Sequence, residues 1–175
     1  MNSSDPFLTD RRTALVEAAR RLEAEAGPDA APLVDPVLAA ELVGAVAQDI
    51  AGHVTARMAP GVATLEAFVH ELVGGVLDAI RPWRDALQLV AVTVERITDF
   101  NQWAAIVGPW IDAIEQAIVQ AQDQGLVDPD VDPRTTAMIV RDTMQRMFQI
   151  AVRFGRERYV ETVERVVVAA LRPAG

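Results

Sequence analysis

Two histidines, His53 and His70, are the side chains of this 175-residue chain best suited to proton transfer near neutral pH. Neither belongs to a His-x-x-x-His or Glu-x-x-His pattern, the spacings that place two zinc ligands on one helix face. His70 is followed directly by Glu71, and adjacent side chains diverge on a helix. The histidines therefore indicate no zinc site. A surface or partly buried place in the fold is the simpler expectation for each.

Three carboxylates, Asp128, Asp130 and Asp132, alternate in a way that is similar to the start of a calcium loop. The segment lacks the glycine and the distal glutamate of that motif, and Asp128 and Asp132 each precede a proline. Turn formation and helix capping account for these residues better than metal binding. The sequence also contains no Gly-x-Ser-x-Gly, phosphate-loop or dinucleotide fingerprint. We therefore predict that the chain is not an enzyme, has no catalytic or metal-binding residues and needs no cofactor.

The composition is typical of a folded protein, with 51% hydrophobic residues and no cysteine. The longest uninterrupted apolar runs fall short of a membrane span, and no disulfide framework is available. A net charge of −9 disfavours a large nucleic-acid face, because phosphate binding needs clustered positive charge. These features predict a cytoplasmic protein without a membrane partner.

Hydrophobic periodicity predicts an all-α fold of seven or eight helices packed by ridges into grooves. The β-branched run Val166-Val167-Val168 lies inside a helical pattern, so it is no strand signal. Residues 1–35 are expected to form a leader and a first helix, and residues 36–175 one helical domain. Gly108-Pro109 should break the chain between a short helix and a long one. The predicted helices span about 10–26, 36–58, 64–80, 83–97, 99–107, 109–124, 133–155 and 157–171.

The stretch from Pro109 to Gly155 predicts two long helices, with Gly125 ending the first and Asp132 capping the second. The second helix has a main apolar face, and a further set that includes Met138 and Ile139 widens the apolar arc. Such a helix needs contacts on two sides, one with its own core and one with a second copy of the chain. We predict a two-fold homodimer built as a four-helix bundle. Its interface residues are predicted to be Trp110, Ile114, Ile118, Val140, Met144, Met147, Phe148 and Ala151.

The C-terminal half resembles the ligand-binding and dimerisation domain of TetR-family transcriptional regulators. The resemblance rests on the turn from Gln124 to Pro133, on the apolar helix that ends at Ala151 to Gly155, and on the closing segment from Tyr159 to Pro173. It covers about residues 36–173. It implies a helical bundle with a two-helix dimerisation face and an apolar cavity for a small ligand.

The cavity is expected among the helices at about 37–58, 64–80, 83–97 and 99–107. Apart from Phe7, the bulky aromatic side chains outside the long helix pair and the last helix all lie there. A core packed to normal density is the alternative use of the same side chains. The predicted ligand-binding residues are Phe68, Trp83, Phe100 and Trp103, with His70 as a polar anchor.

The N-terminal half departs from the family pattern. Arg12 to Ala30 is similar to the family's first helix and the turn that follows, but Asp35-Pro36 then opens a long helix where a helix-turn-helix should stand. Two functions follow from this. The first is a TetR-like regulator that senses a small apolar or amphipathic ligand as a homodimer and binds DNA only if a helix-turn-helix is present. The alternative is a helix-turn-helix-deficient relative, an interaction or ligand-binding protein that does not bind DNA.

Overall fold

The computed structural model is all-helical, as the periodicity predicts, and no strand occurs among the residues that it describes. For residues 36, 100–103, 147–154 and 158–159, only the backbone is described. The described residues are 13–18, 21, 24, 36–84, 86–87, 100–154 and 158–172.

Five α-helices and one 3₁₀ turn have defined ends. We number the helices along the chain: α1 Pro36–Met58, α2 Leu65–Ile80, α3 Phe100–Asp123, α4 Pro133–Phe154 and α5 Arg158–Leu171, with the 3₁₀ turn Arg81–Trp83 after α2. Residues 13–18 are helical as well. The predicted bounds of α1, α2, α4 and α5 are confirmed to within about one residue. The predicted helix at 83–97 falls mostly outside the described residues.

Local chemistry explains where α1 ends and α2 begins. Gly61 has a φ of +78° and closes the turn, with its N–H donating to the carbonyl oxygen of Met58 over 3.0 Å. The Thr64 hydroxyl then accepts a hydrogen bond from the Ala67 N–H at 3.1 Å, which makes Thr64 the N-cap of α2. The sequence predicts both features, because Ala59-Pro60-Gly61 is typical of a turn and Thr64 of a helix cap.

The predicted break at Gly108-Pro109 is wrong, because α3 continues through it from Phe100 to Asp123 with Pro109 inside the helix. A proline within a helix removes one backbone hydrogen bond and costs about 3 kcal/mol. Burying apolar side chains can offset that cost, and Val107, Trp110 and Ile111 beside the proline are all buried. The predicted short helix and long helix are therefore one element.

The chain divides into two compact units. The first comprises Met1–Val46 and Pro82–Val107, and the second comprises Ala47–Arg81 and Gly108–Gly175. The predicted leader and single domain stay a prediction. The second unit contains the C-terminal part of α1, all of α2, most of α3, and α4 and α5, and it holds the contacts described below.

Within the second unit, α1 and α2 approach closely at a glycine pair. A Cβ atom added to Gly75 would lie 3.1 Å from the Val54 Cα and 3.2 Å from the Val54 nitrogen. Only glycine allows the two backbones to come this near without displacement. A glycine pair in the middle of a helix predicts a close helix contact rather than phosphate binding, and the close approach at Gly75 confirms that prediction.

Arg57 of α1 lies over Gly74 and forms two ion pairs with α2. Its guanidinium nitrogens donate to Glu71 Oε2 at 2.6 Å and to Asp78 Oδ2 at 2.5 Å. Each of the three side chains is about one third exposed. The hydrogen bond from Arg57 holds the pKa of Asp78 below its ordinary value, and the Arg57 pKa is raised in return. The network fixes the α1–α2 crossing at its edge.

Helix α5 packs on α2 and α4 through one apolar face, with Val163, Val167 and Leu171 buried. Two exposed polar pairs flank its contact with α2. His70 Nδ1 lies 3.0 Å from Glu164 Oε1, and Arg172 donates to Glu66 Oε1 over 3.0 Å. Exposed pairs of this kind contribute only about 0–1 kcal/mol each, so the buried face holds the helix.

Helix α1 is apolar enough to meet the length and composition of a membrane span. Residues Val37–Met58 have a mean hydropathy of 1.3, although the sequence lacks a long uninterrupted apolar run there. One third of the segment is buried in the protein, and core helices of soluble proteins pass the same test. Compartment and membrane contact stay predictions.

Candidate functional site

The turn between α3 and α4 begins with a Schellman motif. Gly125 has a φ of +71°, its N–H donates to the Gln122 carbonyl over 2.9 Å, and the Leu126 N–H donates to the Ala121 carbonyl over 2.9 Å. The Gln122 side chain then donates to two turn carbonyls, those of Asp128 at 2.9 Å and Val131 at 2.8 Å. The turn is thus closed by backbone and side-chain bonds together.

Two of the three alternating carboxylates of the turn bind backbone N–H groups. Asp128 Oδ1 accepts from the Asp130 N–H at 2.9 Å, and Asp132 Oδ2 accepts from the Thr135 N–H at 2.8 Å. Asp132 is therefore the N-cap of α4. Hydrogen bonding to the Thr135 side chain, and then to the Thr135 backbone, lowers the pKa of Asp132. No group of three metal-ligating side chains occurs among the residues described. Turn and cap chemistry is the role predicted for this cluster.

Arg134 connects the first turn of α4 to α3. Its guanidinium donates to Asp112 Oδ1 at 2.5 Å and to Glu115 Oε2 at 2.8 Å. These hydrogen bonds raise the pKa of Arg134, and the bond that Arg134 donates to Asp112 has the larger effect. All three groups are substantially exposed, so the cluster orients the hairpin more than it stabilises the fold.

The main apolar faces of α3 and α4 lie inside a single copy of the chain. Five of the predicted dimer residues have between 0% and 7% of their surface exposed: Trp110, Ile114, Ile118, Val140 and Met144. Side chains with so little free surface can add almost no area to an interface with a partner. In the single chain they form core. The side chains of the other three, Met147, Phe148 and Ala151, lie outside the described residues.

A second stripe on α4 faces solvent. It consists of residues that recur every three or four positions and are all exposed, which places them on one side of the helix. Its centre is apolar, with Ile139 at 56% exposure and Met138 at 37%. We call this set the outer stripe: Thr135, Met138, Ile139, Asp142 and Arg146. Sequence periodicity identified both apolar sets on α4 but did not show which one would be internal.

Val119 is a further exposed aliphatic side chain, on α3, and it is 42% exposed. It lies about 6 Å before the end of α3 at Asp123, at a rise of 1.5 Å per residue. The start of α4 lies further back along α3, because Arg134 pairs with Asp112 and Glu115, two to three turns before that end.

Arg141 is a buried charge on the inner face of α4, and the sequence analysis did not single it out. It is 7% exposed, and its Nε atom has no hydrogen-bond partner. The other guanidinium nitrogens bond to Gln145 Oε1 and Asp142 Oδ1, each at 2.8 Å. Burial lowers the pKa of Arg141 despite the nearby Asp142 carboxylate. The sequence did contain a sign of this burial, because Arg141 lies on the same helix face as Ala137, Val140 and Met144. A charged residue on an inward-facing apolar face is rare.

The predicted ligand-binding residues occupy different environments. Phe68 in the second unit and Trp83 in the first are each 1% exposed. The His70 side chain is 69% exposed and is turned towards Glu164 on α5, so it does not point into an enclosed space as a polar anchor would. The side chains of Phe100 and Trp103 lie outside the described residues. The ligand role of these residues stays a prediction.

A small cleft in the second unit lies beside Phe68. Its volume is about 10 Å³, and its wall combines α1, α2 and α3 residues with the turn at Gly61. That volume holds about one water molecule, far below the 300–1,000 Å³ of a typical ligand pocket. The cleft is lined by Met58, Gly61, Val62, Phe68, Ala117, Gln120, Ala121 and Gln124.

Comparison of the chain with protein-family models, curated proteins and solved structures yields no match. The functional interpretation therefore depends on the residues themselves, above all on the hairpin of α3 and α4.

Proposed function

We propose that this chain is a homodimeric, TetR-like regulator that senses a small apolar or amphipathic ligand and associates through the α3–α4 hairpin. The observation that carries the proposal is the outer stripe, where Ile139 and Met138 expose apolar surface on a helix whose opposite face is already buried. Exposed apolar surface on a regular helix face is typical of interaction sites. Val119 on α3 is a further exposed aliphatic side chain of the same unit.

Self-association is tested by sedimentation of matched variants. Wild-type protein at micromolar concentration should sediment at twice the 19.0 kDa mass of one chain. Ile139→Asp should be monomeric, because a dimer would bury an unpaired charge. Val166→Asp is the control, since Val166 is 51% exposed and lies on α5, outside the outer stripe. A monomeric wild type, or equal dissociation by both variants, would contradict the proposal.

Ligand sensing requires its own measurement. A panel of apolar and aromatic compounds can be screened by melting temperature and tryptophan fluorescence. A ligand present at one hundred times its dissociation constant adds about 2.7 kcal/mol to the free energy of unfolding. A panel without any shift would remove sensing from the proposal and leave association.

The second candidate is an interaction protein of the same type that does not bind DNA. The continuity of α1 favours it, because one helix of 23 residues occupies 36–58, where a helix-turn-helix would need two short helices. Electrophoretic mobility shifts with random-sequence DNA distinguish the two candidates. Salt-dependent, sequence-selective binding at nanomolar protein would support the regulator.

A further inference from the structure

The charged residues of the outer stripe are unevenly distributed along α4. Their distribution affects how two copies of the chain can pack together. Its apolar centre, Met138 and Ile139, is followed towards the C-terminus by Asp142 and then Arg146. Towards the N-terminus it leads through Thr135 to the acidic turn, which we define as the exposed Asp130 and Asp132. Arg146 is the last residue of α4 whose side chain the structure describes. Within that described part, the stripe leads from the acidic turn to a basic residue.

A two-fold axis through the apolar centre would run the two α4 helices antiparallel. Each residue then lies opposite the one equally far from the centre in the other direction. With a rise of 1.5 Å per residue, Arg146 is about 11 Å from the midpoint of Met138 and Ile139. The first helical residue, Pro133, is about 8 Å from that midpoint in the other direction. Arg146 of one copy thus reaches the acidic turn of the other.

The charges at these positions are available for a partner. Arg146 is exposed and has no ion pair among the described residues, and the Asp130 carboxylate likewise accepts no hydrogen bond there. The N-terminus of α4 carries partial positive charge, which would oppose an approaching arginine. The two carboxylates of the acidic turn reverse the sign of that local field, so an approaching cation is attracted.

The size of a stable interface requires Arg146 and the acidic turn to take part in it. A stable interface buries at least about 600 Å² per copy. Three partly exposed aliphatic side chains, Val119, Met138 and Ile139, cannot supply that area alone, since a fully buried large side chain covers only about 150–250 Å². The polar residues around them must enter the interface as well. Their complementarity then decides which register two copies can adopt.

We propose that two copies of the chain pack α4 against α4 in antiparallel register, with Arg146 of each copy paired to the acidic turn of the other. This rests on the dimerisation proposed above and adds the register, the orientation and the charged pairs that select them. Thr135 of each copy lies opposite Asp142 of the other in the same arrangement. The occupant of the outer stripe is therefore a second copy of this chain.

Complementary single variants test the register. Arg146→Glu places like charges at both ends of its homodimer. Asp130→Arg places an arginine opposite Arg146 at both ends and leaves Asp132 as the one carboxylate of the acidic turn. Each variant alone should show a dimer dissociation constant raised about ten-fold or more. An equimolar mixture should form a heterodimer with affinity close to wild type, because both of its end pairs are then of opposite charge. The double variant in one chain should also recover.

Arg165→Glu is the control, because it changes the net charge equally at an exposed position on α5. It should dimerise like wild type at physiological salt. A wild type that is monomeric would overturn the dimer itself. A wild type that dimerises while Arg146→Glu and Arg165→Glu behave alike would overturn the register alone. Loss of dimer in both single variants without recovery in the mixture would also overturn the pairing.

Discussion

Replacing Gly75 by alanine places a methyl group against the backbone of α1. The added carbon would lie 3.1 Å from the Val54 Cα, against 3.4–4 Å for an ordinary contact. A helix backbone cannot rotate away as a side chain can, so α1 and α2 must separate by a few tenths of an ångström. Overpacking of this kind costs about 1–3 kcal/mol. Alanine's better helix propensity offsets about 1 kcal/mol, which leaves a net loss of about 0–2 kcal/mol.

Gly52→Ala is the matched control for this substitution. Gly52 lies within α1, and a Cβ added there meets no atom within 4 Å. It should stabilise the protein by about 0.5–1 kcal/mol through propensity alone. The gap between the two variants, about 1–3 kcal/mol, isolates the contact with Val54. Urea unfolding followed by circular dichroism measures it. Equal stabilisation by both substitutions would refute the close approach of α1 and α2.

The other predictions concern two charged groups. Arg141→Met should leave the free energy of unfolding unchanged or raise it by up to about 2 kcal/mol, because it removes a buried charge with an unsatisfied Nε. A loss above about 1 kcal/mol in urea unfolding would show that Arg141 is structurally required. Asp78→Asn should destabilise the protein at pH 7, because the pKa of Asp78 is lowered by Arg57. A carboxyl group whose pKa is lower in the folded protein stabilises the fold at pH values above its ordinary pKa of 3.8. This stabilisation is lost as the pH falls through the lower pKa of the folded state. The difference between wild type and Asp78→Asn should therefore shrink in melts below about pH 4, and a constant difference would contradict the Arg57 pairing.

Helix ends and turns that depend on local hydrogen bonds could be predicted from the sequence. Thr64, Gly125 and Asp132 each act through backbone groups a few residues away, so residue type and spacing are enough to predict their role. Pro109 was misread because its local cost is real but smaller than the burial available to a helix that continues. That burial depends on residues distant in sequence, which periodicity does not reveal.

The candidate site could be predicted only in part, because its position also depends on packing between helices that are distant in sequence. Periodicity gave α4 two apolar sets, but deciding which one faces the core requires knowing where α3 and α5 pack. The ion pairs of Arg57 were missed because they join two helices. A signal did exist, because Glu71 and Asp78 lie on one face of α2 with Gly74 between them, which leaves room for a long side chain. Arg141 could have been questioned as a charge within the inward set.

The bonds made by Gln122 have a consequence for how the turn at 124–132 behaves towards proteases and insertions. Exposed polar turns are usually the first places where a chain is cut and the easiest places to insert a tag. A protease must draw its substrate into an extended strand, and here the carbonyls of Asp128 and Val131 are held by one side chain. The segment also contains the left-handed Gly125, which must unwind first. This turn therefore behaves as a rigid corner that resists nicking, and residues inserted within it would disturb the start of α4 and, with it, the acidic turn.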